Sequence, residues 1–425
     1  MTDILNRHTA KGISCYFFVI YVIFYLTGSN SALHNYIQIG LFALWNLIAI
    51  IEDSNSYSKA LTNKATRYLG MFLLYYFFTS MLIGTLFYTM TYIGVYLMLY
   101  TCHMQYIYYK SRRRTKEVRF IIISSLFAWF VISISAITFY TANPSAARLL
   151  AADFTAFENL YIGGGYAIAF DSARLVVYLV SVLFEKPLNS GWKYLTTLFI
   201  CVLFLLIFKT ESTTTLISSV VGSIFSIYIS IRHKKSRRAK FLLYLTIIAV
   251  FIFFVTGGFE QIASYMIDST DNSPDDLYAR RFNRIGMKLL SFGSDSPIHE
   301  ENYVDDRWGL VVESFNTFLE HPIFGVGYKI GNVFSKLQES GVGTHSEICD
   351  MLAQFGLVGS WFFFKYVKEG LKVTSHHVTN KAYYITLTIM AIMNPFHYFH
   401  GLFALFFLIP MINIYLISNT RHEQK

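Results

Sequence analysis

The chain has 425 residues, 54% of them hydrophobic and only 14% charged, with a mean hydropathy of +0.43. A water-soluble chain of this length does not carry so apolar a composition, so a soluble enzyme is excluded and a multi-spanning membrane protein is expected. The formal net charge of +9 does not point to nucleic acid, because the basic residues sit in the loops between apolar runs rather than on one binding face.

Apolar runs near the roughly 20 residues that cross a bilayer as a helix recur along the chain, and the alternation of a closed barrel is missing. In chain order the spans read 13–28, 33–51, 68–85, 88–109, 120–140, 162–184, 194–208, 213–231, 241–257, 348–367, 382–396 and 401–418. The expected fold is therefore an all-α integral membrane protein of about twelve transmembrane helices. The uncharged stretch 68–109 is too long for one helix and is divided near Leu86. The expected domains are a bundle of about nine helices over 1–257, an extracytoplasmic loop over 258–347 and a bundle of about three helices over 348–425.

The first span follows Arg7 and Lys11 but lacks a small-x-small cleavage site, so it is expected to stay as an anchor. Lysine and arginine crowd into alternate loops: Arg7 with Lys11, the segment 110–119 (KSRRRTKEVR), the segment 232–240 (RHKKSRRAK), and the stretch from Lys365 onward. Those loops are expected in the cytoplasm, together with both termini. Cys15, Cys102, Cys201 and Cys349 lie in or beside apolar runs without metal or disulfide spacing, and are expected to be small packing residues.

With that parity the long stretch from Phe259 to Glu347 faces outward. It is rich in ionisable residues, among them Arg280, Arg281 and Arg284, and cannot lie in hydrocarbon. Within it Trp308, Val311, Val312, Phe315, Phe318 and Leu319 recur at three- and four-residue spacing. That spacing predicts a helix with one apolar stripe, ended by Pro322 and lying along the membrane surface. Gly325, Gly327, Gly331, Gly341 and Gly343 then permit a tight return of the chain.

Thr344-His345-Ser346-Glu347 reads as an S/T-x-x-E capping box, which places His345 in the first turn of the following helix. Spacing leaves two readings open. His345 is an interfacial histidine on an ordinary capped helix, or an imidazole beside an anion held by the exposed amides. For Glu347 capping is explanation enough.

Taken together, Arg307, the run Glu320-His321-Pro322-Ile323-Phe324-Gly325-Val326-Gly327, the run Thr344-His345-Ser346-Glu347 and the run Phe355-Gly356-Leu357-Val358-Gly359 resemble the signature region of the bacterial O-antigen polymerase and ligase superfamily. The resemblance covers about sixty residues of sequence, in order and spacing. It implies a GT-C-like membrane glycosyltransferase acting without metal or other cofactor, by inverting transfer, on oligosaccharides carried by undecaprenyl diphosphate. The partners it implies are those lipid-linked substrates and membrane lipid, with a chain-length regulator and a flippase as candidate protein partners.

In that setting Arg307 falls to leaving-group stabilisation, because the guanidinium fork binds phosphate oxygens bidentately and stays charged. His345 falls to the general base. Arg280, Arg281 and Arg284 are either phosphate or glycan contacts or a solvated basic face. Where relatives commonly carry Ser-Arg at the outer start of a span, this chain reads Lys209-Thr210-Glu211-Ser212-Thr213-Thr214. The missing charge falls to Lys209 or to Arg174, and Arg174 stands three residues after Asp171, the spacing of a structural ion pair as well.

The remaining motifs point elsewhere or nowhere. Gly163-Gly164-Gly165 lacks the Gly-Lys-Ser/Thr of a phosphate loop, and no D-x-D with a soluble domain, H-E-x-x-H or G-x-S-x-G is present. His397 and His400 beside Asn394-Pro395 are interfacial anchors or line an acceptor cleft. Within the superfamily, His-Ser-Glu in place of His-Asn and a short C-terminus resemble the polymerases most. A ligase, a protein oligosaccharyltransferase and a non-enzymatic lipid-oligosaccharide flippase are the alternatives. A flippase is expected to show a two-fold repeat and a charged path at mid-membrane, and neither is evident.

Overall fold

The computed structural model describes residues 12–27, 32–82, 100–112, 114–143, 146, 167–185, 188, 190–210, 212–233, 307–327, 341–343, 346–372, 391 and 407–422. All regular structure among them is helical. The helices are α1 (Ile13–Thr27), α2 (Ala32–Glu52), α3 (Ser54–Thr62), α4 (Lys64–Leu82), the stretch 100–112, α5 (Thr115–Ala142), α6 (Ala167–Glu185), α7 (Ser190–Lys209), α8 (Thr213–His233), α9 (Arg307–Glu320), α10 (Glu347–Lys372) and α11 (Ile409–His422). Internal contacts divide the chain into two compact units, one formed by Met1–Ser226 with Arg307–Lys425 and the other by Ile227–Asp306.

In the first unit the apolar runs become helices that are apolar on every side. On α1 the side chains of Cys15, Phe18, Tyr21 and Val22 are buried, while Ile13, Tyr16, Ile20 and Ile23 on the other side remain exposed. α5 buries Ile121, Ser125, Ala128, Trp129, Ile132 and Ala136 and leaves Phe127 66% exposed, with Val131 and Ile134 beside it. An aliphatic or aromatic outer face is what a hydrocarbon solvent selects, since water would favour charged residues there. Two of the described helices, Thr115–Ala142 and Ser190–Lys209, are long and apolar enough to cross a membrane.

Small residues let the helices approach closely. α6 is enclosed on all sides, its residues 171–182 all buried, and it packs on α7. α7 in turn packs on α5, α5 on α1 and α11, and α4 on α10. Tyr178 of α6 donates from its hydroxyl to Asn413 Oδ1 of α11 at 2.8 Å. Polar side chains in such an interior need partners of this kind.

Two features were not expected from the apolar pattern. α3 is a short polar helix between the second and third spans, started by Asp53, whose carboxylate accepts from Ser56 N–H at 2.9 Å and from Ser56 Oγ at 2.8 Å. The second is an ionic clamp at four helix ends. Arg112 donates to Glu52 Oε2 at 2.7 Å and to Glu117 Oε1 at 2.8 Å, and Arg114 reaches Glu117 Oε1 at 3.1 Å. Glu117 also accepts from Gly12 N–H at 2.9 Å, and Glu52 from Ser14 N–H at 3.0 Å and Ser14 Oγ at 2.7 Å. Arg112 further donates to the Tyr108 hydroxyl. Burial pushes the Glu52 carboxyl upward, but the Ser14 hydrogen bonds and the Arg112 guanidinium together bring it below its ordinary value.

Of the expected packing cysteines, Cys15 and Cys102 are buried, Cys349 is partly so, and Cys201 faces outward. The spans expected at 241–257 and, save Ala391, at 382–396 lie outside the described residues, as do Gly163–Gly165, His397 and His400.

Candidate functional site

α9 has 14 residues and is about 21 Å long at 1.5 Å per residue, too short to cross a bilayer core of about 30 Å. It packs on α10, and its orientation there differs from that of a soluble amphipathic helix. Ser314 and Thr317 are the buried side chains, whereas Val312, Phe315 and Leu319 of the apolar stripe are exposed. Ile323 and Phe324, 56% and 59% exposed, extend that apolar surface past the end of the helix. The small polar face is turned inward because it is hydrogen-bonded there: Thr317 Oγ1 donates to the Gly341 carbonyl at 2.6 Å, and Ser314 Oγ donates to Asp350 Oδ1 of α10 at 2.6 Å.

After α9 the chain turns at Pro322, with His321 N–H bonded to Thr317 O at 3.0 Å and Gly325 N–H to His321 O at 3.0 Å. Here the structure joins two motifs that are about thirty residues apart in sequence. α10 is broken at Gly356, whose φ of 59° and ψ of −169° are not helical. The backbone groups released by the break are taken up by the turn. Val326 N–H donates to Ala353 O and Gly327 N–H to Gln354 O, both at 3.0 Å, while Leu357 N–H donates to Pro322 O at 2.8 Å and Val358 N–H to Ile323 O at 3.2 Å.

Gly325 and Gly356 meet face to face in this interlock. A Cβ on Gly325, which has φ of 71°, would collide with the Gln354 carbonyl and the Gly356 amide, and one on Gly356 with the Ile323 carbonyl and the Gly325 amide. Both the conformation and the space require glycine. Tyr75 of α4 closes the arrangement, its hydroxyl standing 3.0 Å from Phe324 O and 2.9 Å from Phe355 O.

The start of α10 corrects the expected capping box. The helix begins at Glu347, and Ser346 is its cap, with Ser346 Oγ accepting from Cys349 N–H at 3.4 Å. Asp350 reaches back so that its Oδ2 accepts from Ser346 N–H at 2.9 Å. The cap therefore lies two residues later than Thr344, because Ser346 with Asp350 forms the reciprocal pair that the Thr344–Glu347 spacing suggested. Glu347, the first residue of α10, is fully buried.

Arg307 is the first residue of α9, and its side chain lies outside the described residues, as do His345, Arg280, Arg281 and Arg284. Lys209 is the last residue of α7 and half-buried. Arg174 is buried on α6, the helix packed against α7, and donates to Asp171 Oδ1 at 2.7 Å. The i,i+3 ion pair thus forms, and the remaining Asp171 Oδ2, Ser172 Oγ and Arg174 Nε have no partner among the described residues. No group of three or more His, Cys, Asp or Glu that would hold a metal occurs among the described residues.

Sequence reasoning missed Ser314, Asp350 and Tyr75. A serine between apolar neighbours on an amphipathic helix and an aspartate four residues past Ser346, at the mouth of a span, were the available signals. For Tyr75 there was none, because one tyrosine among 31 in an apolar run carries no mark.

Apolar outer faces, a helical interior and a short surface helix interlocked with a broken one together point to a helical membrane protein. Residues 197–364 match the family model described as O-antigen ligase, which supports the O-antigen ligase and polymerase superfamily for this chain. Members of that family are enzymes. No curated protein matches the chain.

Proposed function

We propose that the protein polymerises oligosaccharide repeat units carried on undecaprenyl diphosphate, by inverting glycosyl transfer on the outer face of the cytoplasmic membrane. The observation that carries this reading is the family match over 197–364, which runs from α7 across Lys209, Arg280, Arg281, Arg284, Arg307 and His345 to the break in α10. Arg174 lies outside it. The product would be an O-antigen, capsule or exopolysaccharide.

In the proposed step an acceptor sugar hydroxyl attacks the anomeric carbon of the donor unit. Its oxygen forms the new glycosidic bond as the bond to the diphosphate breaks, and the hydroxyl proton passes to His345 acting as general base. Arg307 holds the negative charge that grows on the departing diphosphate, with Lys209, Arg174 and the loop arginines as further phosphate or glycan contacts. Undecaprenyl diphosphate leaves as the anion.

The test is a deletion strain complemented with variants, with polysaccharide chain length read on a gel. His345→Ala is expected to abolish elongation, since a general base contributes about 10²- to 10⁴-fold. Arg307→Lys, which keeps the charge but loses the fork, is expected to shorten chains. Normal-length polymer from His345→Ala removes His345 from the mechanism.

A second reading, ligation of finished glycan to an acceptor, is favoured by the description of the matching family itself. The deletion strain separates the two. Loss of a polymerase leaves single repeat units on the final acceptor, whereas loss of a ligase leaves long polymer on the carrier lipid.

A further inference from the structure

The polar contact between α9 and the start of α10 is more elaborate than packing two helices requires. Ser314 and Asp350 are both buried, at 0% and 3% exposure. Gly343 N–H donates to Ser314 Oγ at 2.8 Å, the same hydroxyl donates to Asp350 Oδ1 at 2.6 Å, and the other carboxylate oxygen accepts from Ser346 N–H at 2.9 Å. One continuous chain of bonds thus runs from backbone to hydroxyl to carboxylate to backbone, each link strengthening the next. Its two ends are the amides of Gly343 and Ser346, which flank residues 344 and 345 in the sequence.

Burying a carboxylate between helices is costly, and an apolar pair of similar volume would join α9 to α10 at less expense. What apolar contact does not provide is a fixed register. The Asp350 carboxylate has two oxygens, one committed to α9 and one to the chain entering α10, so it sets the axial and rotational placement of both. A Cβ at Gly343 would collide with the Leu310 carbonyl of α9, so the chain here passes α9 too closely for any side chain at this position.

We propose that Ser314 and Asp350 are positioning residues for the transfer reaction. They hold the helix that begins at Arg307 and the segment that contains His345 in one register, by fixing the amides on either side of residues 344 and 345. This rests on the reading of Arg307 and His345 given above. Neither Ser314 nor Asp350 touches substrate in this scheme; both act through the residues they hold. Preorganisation of this kind affects the rate of the bound complex rather than substrate capture, because a misplaced base weakens the transition state while leaving lipid contacts in place.

The test uses the purified full-length protein with undecaprenyl-diphosphate-linked repeat units extracted from the deletion strain. Asp350→Asn, Ser314→Ala and the double variant are assayed for kcat and KM, with the thermal melting of each protein measured alongside. Asp350→Asn is expected to lower kcat about tenfold or more with KM changed by less than about threefold. Ser314→Ala, which frees Gly343 but leaves the Ser346 bond, is expected to lose less, and the double variant no more than Asp350→Asn alone, because both residues act through one chain of bonds.

A kcat within about twofold of the native protein, multiplicative losses in the double variant, or a rate loss matched by loss of folded protein would each overturn the proposal. If Asp350→Asn does not fold, Ser314→Ala decides on the same criteria. His345→Ala is measured in the same series. An inactive His345→Ala beside a fully active Asp350→Asn refutes the positioning role and leaves the function standing, whereas an active His345→Ala refutes the general-base role of His345 and the positioning role that rests on it.

Discussion

At the scale of single residues the site depends on two glycines and the clamp on two carboxylates, Glu52 and Glu117. Gly356 occupies a region of backbone space that side-chain-bearing residues do not reach without strain, and the Ile323 carbonyl and Gly325 amide stand where its Cβ would be. Gly356→Ala is therefore expected to cost about 3 kcal/mol, through backbone strain and the forced separation of two main-chain segments. The measurement is the fraction of detergent-solubilised protein that stays monodisperse after heating, and an unchanged melting curve contradicts the interlock. Glu52 gives a pH dependence. Its carboxyl is held below the ordinary 4.5 in the folded protein, so its stabilising contribution is complete above that value and is lost as pH falls through the folded one. Glu52→Gln should accordingly lower the melting temperature more at pH 7 than at pH 3, and an equal decrease at both would show that charge is not what binds the clamp.

At the scale of elements, the break in α10 and the turn after α9 form one structural unit, and Tyr75 attaches it to α4. Tyr75→Phe removes one hydroxyl shared by the Phe324 and Phe355 carbonyls, in a partly exposed place, and is expected to cost about 1 kcal/mol. That decrease is measurable as a lower melting temperature of the purified protein. Much of this level was legible in the sequence. Apolar length alone locates α1, α2, α4, α5, α7, α8 and α10 to within about five residues at each end. The period of Trp308 to Leu319 locates α9 as well, but not the side it buries, because period identifies a stripe and not the solvent it faces. The motifs Pro322–Gly327 and Phe355–Gly359 were visible as separate strings. That they share hydrogen bonds was not, because the pairing arises only once Gly356 breaks its helix. The cap was misplaced for a related reason, as two overlapping spacings, Thr344–Glu347 and Ser346–Asp350, compete and burial of Asp350 decides between them.

At the scale of the whole molecule, the clamp constrains how the helices alternate. It gathers the start of α1, the end of α2, the end of the stretch 100–112 and the start of α5 around Arg112, Glu52 and Glu117. The start of α1 and the end of α2 meet there, so these two packed helices run antiparallel. The segment 110–119 around it is rich in lysine and arginine, and a segment of that kind is expected in the cytoplasm. The alternation of basic loops in the sequence predicts an extracytoplasmic position for the charged stretch from Phe259 to Glu347, with Arg280, Arg281 and Arg284. A phosphatase that is active only outside the cytoplasm is expected to be active when fused after residue 270 and inactive when fused after residue 113, while a fluorescent protein that matures only in the cytoplasm should show the reverse. If the phosphatase is inactive at 270, the loop arginines lie in the cytosol and the outer-face transfer reaction is excluded, whatever His345→Ala does to polymer length.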